Sequence, residues 1–379
     1  MKNIAVFCDG TWNSTDAQHP TNVVRLAQAV APVTTAGLVQ QVIYVPGVGV
    51  GRGSTALARG LDRLAGGMFG LGLNLNLEDA YRALIFAHEP GDRIFLFGFS
   101  RGAYMARSLA GLLRASGLPA RSGVGEVRRA MARYRSPLDS TRPDDPRSFA
   151  FRLEFAPAVT TSDAERDWRR DNAHPLGVPL GLAHVGVWDS VGTLGVPAHY
   201  GWLAGLLNGP HRFHDCSLSH MVASARHAVA LDERRQSFAP ALWDNLDALN
   251  ADAPGPPRYR QVWFPGNHGS VGGGGDHTVL SDRALRWIAD GAEDAGLSLD
   301  RDRLPPDPGL PAPDAPLRNR SRPPSLAERA LALTAHDRKG PQRCMDVSPE
   351  AEDRWRRNPR YRPRSLDGVS AALARRSRR

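Results

Sequence analysis

Apolar residues in this chain fall into short continuous runs, separated by stretches in which they recur at helical spacing. Residues 4–8, 41–45, 93–97, 182–188 and 259–264 are runs with the length and the aromatic or β-branched content of buried strands. Between them, residues 22–30 place Val23, Leu26, Ala27 and Val30 on one helical face, and residues 75–87 do the same with Leu77, Ala80 and Leu84. Residues 281–295 form a further helix around Ala284, Leu285, Trp287 and Ile288, and residues 202–207 and 218–231 also read as helical. Strand and helix signals in alternation predict an α/β fold, a mostly parallel central sheet flanked by helices. The rhythm lapses over residues 116–182, where a basic helix-like stretch, a proline-bearing polar stretch and a charged segment (163–171) predict a cap or lid inserted over the sheet. Residues 47–72 are glycine-rich and predict a flexible loop near a site. Beyond Gly296 prolines recur, so residues 1–300 are expected to form one domain. Residues 301–379 then form a proline- and arginine-rich extension that wraps it or is partly disordered.

The pentapeptide Gly98-Phe99-Ser100-Arg101-Gly102 sits where a strand ends and a helix begins, the helix being signalled by Tyr104, Leu109, Leu112 and Leu113. That context is the one a nucleophile elbow requires: a serine held on a strained turn, with glycines two residues to either side removing Cβ clashes. Ser100 is then exposed above the sheet at a helix N-terminus, which favours developing negative charge. A glycine-flanked serine that merely caps a helix has the same spelling.

A serine hydroxyl needs a base, and the base needs an orienting acid. Both belong at the carboxyl ends of strands. Asp189 directly follows the 182–188 run, and His268 follows the 259–264 run inside a glycine-rich loop. Asp189 also reads as a helix cap. Rival histidines are His184, His199, His214, His220, His227 and His277, with Asp276-His277 the strongest rival pair and the i, i+7 pair His220 and His227 reading as a surface helix stripe. An oxyanion hole would combine the Arg101 amide with one from the loop after the first strand, where Gly10 permits close approach and Thr11 or Trp12 presents the donor. A plain turn capped by Asp9 is the plainer reading of that loop. Trp12, Met68, Phe69 and the segment after Ser116 are candidates for an apolar wall.

Composition adds limits. The chain has 379 residues and is 41% hydrophobic, with no apolar stretch long enough to span a membrane. Its three cysteines, Cys8, Cys216 and Cys344, give neither a disulfide framework nor a zinc spacing. No metal and no cofactor are expected. The cysteine usage suggests a reducing, cytoplasmic setting, with export by a route that needs no signal peptide left open. The net charge is +9, and residues 352–379 carry ten arginines against three acids. Such a tail could make peripheral contact with anionic lipid, and no nucleic-acid reading motif accompanies it.

Taken together, Phe7-Cys8-Asp9-Gly10-Thr11-Trp12-Asn13, Gly98-Phe99-Ser100-Arg101-Gly102-Ala103, Val187-Trp188-Asp189-Ser190-Val191-Gly192 and Trp263-Phe264-Pro265-Gly266-Asn267-His268 resemble an uncharacterised alpha/beta-hydrolase family. That family contains the type VI secretion lipase effectors. Asp232-Glu233-Arg234-Arg235 and Leu280-Ser281-Asp282-Arg283 fit the same pattern. The resemblance covers roughly residues 1–300. It implies an alpha/beta-hydrolase catalytic domain with Ser100 as nucleophile, Asp189 as acid and His268 as base. It also implies an ester substrate, a lipid or phospholipid, and a secretion or immunity partner if the chain is an effector. Ser270 stands where the family usually carries an aspartate, two residues past the histidine, a change expected to weaken the orientation of His268 or alter a lid contact. Alternatives are a non-lipid carboxylesterase and a catalytically silent interaction protein. An aspartyl phosphatase built on Asp9 would need a second aspartate at position 11, where Thr11 stands.

Overall fold

The computed structural model describes residues 1–11, 13–47, 66–192, 217–251, 255–307, 309–319 and 336–376, with backbone alone at 66–71 and 237. Six strands form a parallel sheet: β1 (Asn3–Cys8), β2 (Gln40–Val45), β3 (Arg93–Phe99), β6 (Gly181–Trp188), β7 (Ala225–Ala230) and β8 (Tyr259–Phe264), in the spatial order β2-β1-β3-β6-β7-β8. Two short strands, β4 (Val159–Thr160) and β5 (Val178–Pro179), pair separately. Strand β1 is buried at every position, as a central parallel strand covered on both faces must be. The edge strand β2 is buried only at its ends, Gln40 and Val45.

Helices α1 (Asn22–Ala29), α2 (Gly66–Ala87) and α3 (Arg101–Ser116) cover the first half of the sheet. Thr21 caps α1 by accepting from the Val24 amide. Val23, Leu26 and Ala29 of α1 pack with Phe7, Phe95 and Phe97 on one face, whereas Leu77 of α2 and Leu109, Leu112 and Leu113 of α3 pack with Ile4, Val6 and Leu96 on the other. Burying each such leucine contributes about 2 kcal/mol. The chain runs from β1 outward to β2 and returns to β3 on the opposite side of β1, so the sheet switches direction between β1 and β3. Ligands of open α/β sheets gather at the carboxyl ends beside such a switch. Cys8 pairs with Gly98, and Phe99 pairs with Trp188. That register brings Asp9, Ser100 and Asp189, the next residues of β1, β3 and β6, to one rim.

Helix α2 starts at Gly66, earlier than the helix read over 75–87, because Leu73 and Leu77 pack into the core and outweigh the helix cost of the glycines. The rest of the glycine-rich loop, residues 48–65, lies outside the described residues, as do the helix expected at 202–207 and the candidates Trp12, His199 and His214. The helix read over 218–231 is a correction: Ala225–Ala230 is strand β7, hydrogen-bonded between β6 and β8. Its alanines invite a helical reading, but the pairing of two neighbouring strands decides the conformation. His227 therefore sits in the sheet, fully buried, and is no surface stripe with His220.

Between α3 and β6 the chain forms α4 (Val127–Arg135), α5 (Pro146–Phe155) and α6 (Asp163–Asp171). The charged segment is α6, and its Glu165 turns inward. Glu165 Oε2 meets Arg152 Nε at 2.7 Å and Glu165 Oε1 meets Arg169 Nη2 at 2.6 Å, with all three side chains inaccessible to solvent. Removing one member of a buried ionic cluster strands the charge of the others. Glu165→Ala is therefore expected to lower stability by about 3–5 kcal/mol, measured by denaturant unfolding; a loss below 1 kcal/mol would contradict this account.

The second half of the sheet is closed by α7 (Leu246–Ala251), the short α8 (His268–Gly272) and α9 (Val279–Asp294). The extension, expected as an extended strap, contributes helices α10 (Pro349–Arg357) and α11 (Ser370–Arg376). Val347, Ala351, Trp355, Tyr361, Leu366, Val369 and Leu373 pack against Val229, Leu231 and Trp263 of the sheet, so sparse apolar residues among prolines and arginines suffice for a further core. Several tail arginines have partners in the fold: Arg356 pairs with Asp353, Arg376 with Glu352, and Arg362 lies over Trp355. No described helix is long and apolar enough to cross a membrane.

Candidate active site

Ser100 follows β3 and precedes α3 with φ 59° and ψ −125°, a backbone conformation that non-glycine residues rarely hold. The flanking glycines permit it by close approach. A Cβ on Gly98 would lie 2.5 Å from the Gly102 carbonyl oxygen, and one on Gly102 would lie 2.1 Å from the Cys8 carbonyl oxygen. The Ser100 side chain makes no capping hydrogen bond to α3, so the simple cap reading fails. Its backbone is tied to the neighbouring strand by Ser100 N donating to Trp188 O at 3.1 Å.

Asp189 is completely buried and also strained, with φ 37°. Its Oδ2 accepts from His268 Nδ1 at 2.5 Å, and its Oδ1 accepts from the Ala230 amide at 2.9 Å. Burial alone would raise the Asp189 pKa. The charge of Arg338 and the hydrogen bond from His268 outweigh it and hold the carboxyl far below the usual range. His268 opens α8, whose N-cap Asn267 accepts from the Ser270 amide. The imidazole lies between two rings, Phe99 at 4.5 Å and Phe238 at 4.7 Å between centroids. Phe99 is the residue before Ser100, so the ring contact places His268 beside the elbow. Burial lowers the His268 pKa below the ordinary value, opposed by its hydrogen bond to Asp189 and by the charges of Asp189 and Glu233. With Nδ1–H given to the carboxylate, Nε2 carries the free lone pair.

The loop after β1 closes in from the other side. A Cβ on Gly10 would stand 3.3 Å from the Ser100 Cβ. Asp9 anchors this loop: it accepts from the Gly10 amide at 2.7 Å, from the Thr21 hydroxyl at 2.9 Å and from the Tyr44 hydroxyl at 2.8 Å. Both Asp9 oxygens are thus engaged, and the Gly10 amide is committed to Asp9. Thr11 Oγ1 is buried with no hydrogen-bond partner among the described residues. Arg101 opens α3, so its amide belongs to the first turn beside Ser100.

The remaining candidates lie elsewhere. The Ser270 hydroxyl lies 2.9 Å from both Asn267 Oδ1 and Leu317 O, with its single proton donated to one of them, which braces the His268 turn against residue 317. Asp276 and His277 are exposed and 3.9 Å apart. His184 meets Ser224, and His227 accepts from the Ser190 amide at 3.1 Å, which fixes the turn after Asp189. Among the described residues no group of three or more His, Cys, Asp or Glu could hold a metal.

Two neighbours have no role assigned from the sequence, although Glu233 lies in a block that resembles the family. Glu233 accepts from the His268 amide at 3.2 Å and is paired with Arg235. Burial raises its pKa, but the hydrogen bond and charge of Arg235 outweigh this and bring it to about 2. Arg338, from the extension, faces Asp189. Glu233 lies in a recognised sequence block, whereas nothing around Arg338 distinguishes it from its many neighbouring arginines. A cavity of about 760 Å³ opens beside α3, lined in part by Arg107, Arg114, Tyr134, Leu138, His220 and Trp243. Arg107 reaches the Ser190 hydroxyl at 3.4 Å, next to Asp189.

A yeast protein (Saccharomyces cerevisiae strain ATCC 204508 / S288c), "Uncharacterized protein YEL023C", is 29% identical over 245 residues, 62% of this chain; the chain spans about a third (32%) of that relative's length. Among solved structures, an uncharacterized protein from Pseudomonas aeruginosa aligns with a TM-score of 0.40 at 18% identity, covering 80% of this chain and 47% of the other. A Tle1 effector bound to the VgrG spike of the type 6 secretion system aligns at 0.34 and 16% identity, covering 72% of this chain and 51% of that one. The family model described as "T6SS, Phospholipase effector Tle1-like, catalytic domain" matches residues 2–291. The chain belongs to the T6SS phospholipase effector Tle1-like catalytic-domain family.

Proposed function

We propose that the chain is a serine hydrolase that cleaves carboxylic esters of lipids, phospholipids foremost, through an acyl-enzyme on Ser100. The observation that carries this reading is a strained serine, uncommitted to capping, at the same rim as a buried aspartate–histidine pair. In the reaction, His268 Nε2 takes the hydroxyl proton as Ser100 Oγ attacks the ester carbonyl, and the ring then returns that proton to the departing alkoxide. Water then gives one proton to His268 as its oxygen attacks the acyl carbon, and His268 returns that proton to Ser100 Oγ as the acid departs. Asp189 holds the tautomer and offsets the imidazolium charge. The oxyanion is met by the Arg101 amide and by the Gly10 to Trp12 loop, where the Thr11 hydroxyl has no hydrogen-bond partner among the described residues. Family membership supports the phospholipid class and delivery by a secretion system with a matching partner. On this reading the insertion, residues 116–182, serves as the lid over the ester.

A fluorophosphonate probe and vesicles of phosphatidylethanolamine and phosphatidylglycerol test the proposal. Stoichiometric labelling at Ser100 and release of fatty acid are expected. The lowered pKa of His268 leaves the ring neutral at pH 7, so the acid limb of kcat/KM should lie below the ordinary histidine value of 6.5. An unlabelled, inert Ser100 would reject the assignment. Turnover of nitrophenyl esters without phospholipid hydrolysis would retain the chemistry and remove the lipid.

A further inference from the structure

The Asp189 carboxylate has a third partner, and it comes from outside the matched catalytic domain. Arg338 Nη1 donates to Asp189 Oδ1 at 2.6 Å and Arg338 Nη2 donates to Asp189 Oδ2 at 3.0 Å, a two-pronged pairing in which both side chains are buried. The same guanidinium donates to Ala230 O at 2.8 Å and to Phe238 O. Arg338 is held in place by its neighbours: Asp337 pairs with Arg234 at 2.9 Å, the His336 amide donates to Arg234 O at 3.0 Å, and the His336 ring meets Gln236 at 2.9 Å. The segment so gripped, 234–238, ends in Phe238, whose ring lies against His268. One arginine thus joins the carboxylate to the segment that walls the imidazole.

We infer that Arg338 is a positioning residue of the hydrolase, supplied by the C-terminal extension to the acid of the catalytic triad. The inference rests on the reading of Ser100, Asp189 and His268 given above. A carboxylate sealed from water and held on strained backbone is free to rotate or take up a proton unless donors fix it. The guanidinium fork engages one lone pair on each oxygen, which sets the carboxylate plane and aims Oδ2 at His268 Nδ1. A point charge cannot set that plane. Arg338 also shares the negative charge that His268 would otherwise face alone. The other charged groups facing the ring are Glu233, through the His268 amide, and Arg235, its partner.

The test compares the parent with Arg338→Ala and Arg338→Lys in the full chain, using nitrophenyl butyrate and phosphatidylglycerol vesicles across pH. The alanine variant is expected to lose about 10²-fold in kcat with KM little changed, the scale of a small misplacement of a catalytic group. Its acid limb should move to higher pH, because His268 then faces the undivided Asp189 charge. The lysine variant should recover the position of the limb but only part of kcat. A purely structural arginine would lower the melting temperature and the fraction of chains that titrate with fluorophosphonate, leaving kcat per titrated site and the limb unmoved; that result overturns the inference. If the alanine variant does not fold, the lysine variant decides: parental kcat per titrated site overturns the inference, and a reduced kcat at parental KM supports it. Ser100→Ala, run alongside, separates the two levels. If it retains turnover, the hydrolase reading itself is wrong; if it is silent while the Arg338 variants match the parent, only the positioning role fails.

Discussion

Ser100→Ala is expected to abolish ester hydrolysis, reducing kcat by about 10⁶-fold, the scale seen when the nucleophile of a serine triad is removed. No other described group is placed to substitute. The serine stands alone at the elbow, its hydroxyl is not spent on the helix, and the nearby carboxylate and imidazole are occupied with each other. Folding should be unaffected, because the side chain makes no capping bond and alanine carries the same Cβ through the strained turn. The measurement is hydrolysis of nitrophenyl butyrate and of phospholipid vesicles, with the melting temperature as control. A variant as fast as the parent, and as stable, would remove Ser100 from the chemistry altogether.

Asp189→Asn carries the second large effect. Among the described residues, all four polar partners of this carboxylate are donors: His268 Nδ1, the Ala230 amide and two guanidinium nitrogens. An amide in its place must aim two hydrogens at groups that also present hydrogens. Either His268 changes tautomer, which removes the lone pair from Nε2, or Arg338 is left with an unpaired buried charge. The first outcome reduces kcat by about 10⁴-fold; the second costs about 3–5 kcal/mol of stability. Pre-steady-state and steady-state hydrolysis, together with denaturant unfolding, read both. A substitution that leaves rate and stability within a factor of a few would show that this pairing carries neither role.

The elbow was legible because its physics leaves a spelling: two glycines are demanded by the Gly102 and Cys8 carbonyls, and a strand must precede the serine. Asp189 and His268 were legible for a related reason, since each follows a recognisable apolar run and parallel register brings such positions to one rim. Strand β7 was misread because its six residues, Ala225–Ala230, are half alanine, and only the two neighbouring strands reveal their conformation. Arg338 left no trace in the sequence. An arginine in an arginine-rich extension has nothing unusual about it, and its meaning comes from a contact spanning 149 residues of chain. Glu233 sat in a recognised block, yet no spacing rule connects a carboxylate there to the backbone amide of His268.

The packing of Trp263 against Val347, Ala351 and Trp355 has a consequence for biosynthesis. Strand β8 leaves the ribosome about eighty residues before the segment that covers it, so its outer edge and the Trp263 ring meet solvent and other chains until residues 347–373 have emerged. A ribosome stalled upstream would yield a sticky, unfinished sheet. Completion of this part of the fold is therefore timed by the emergence of residues 347–373.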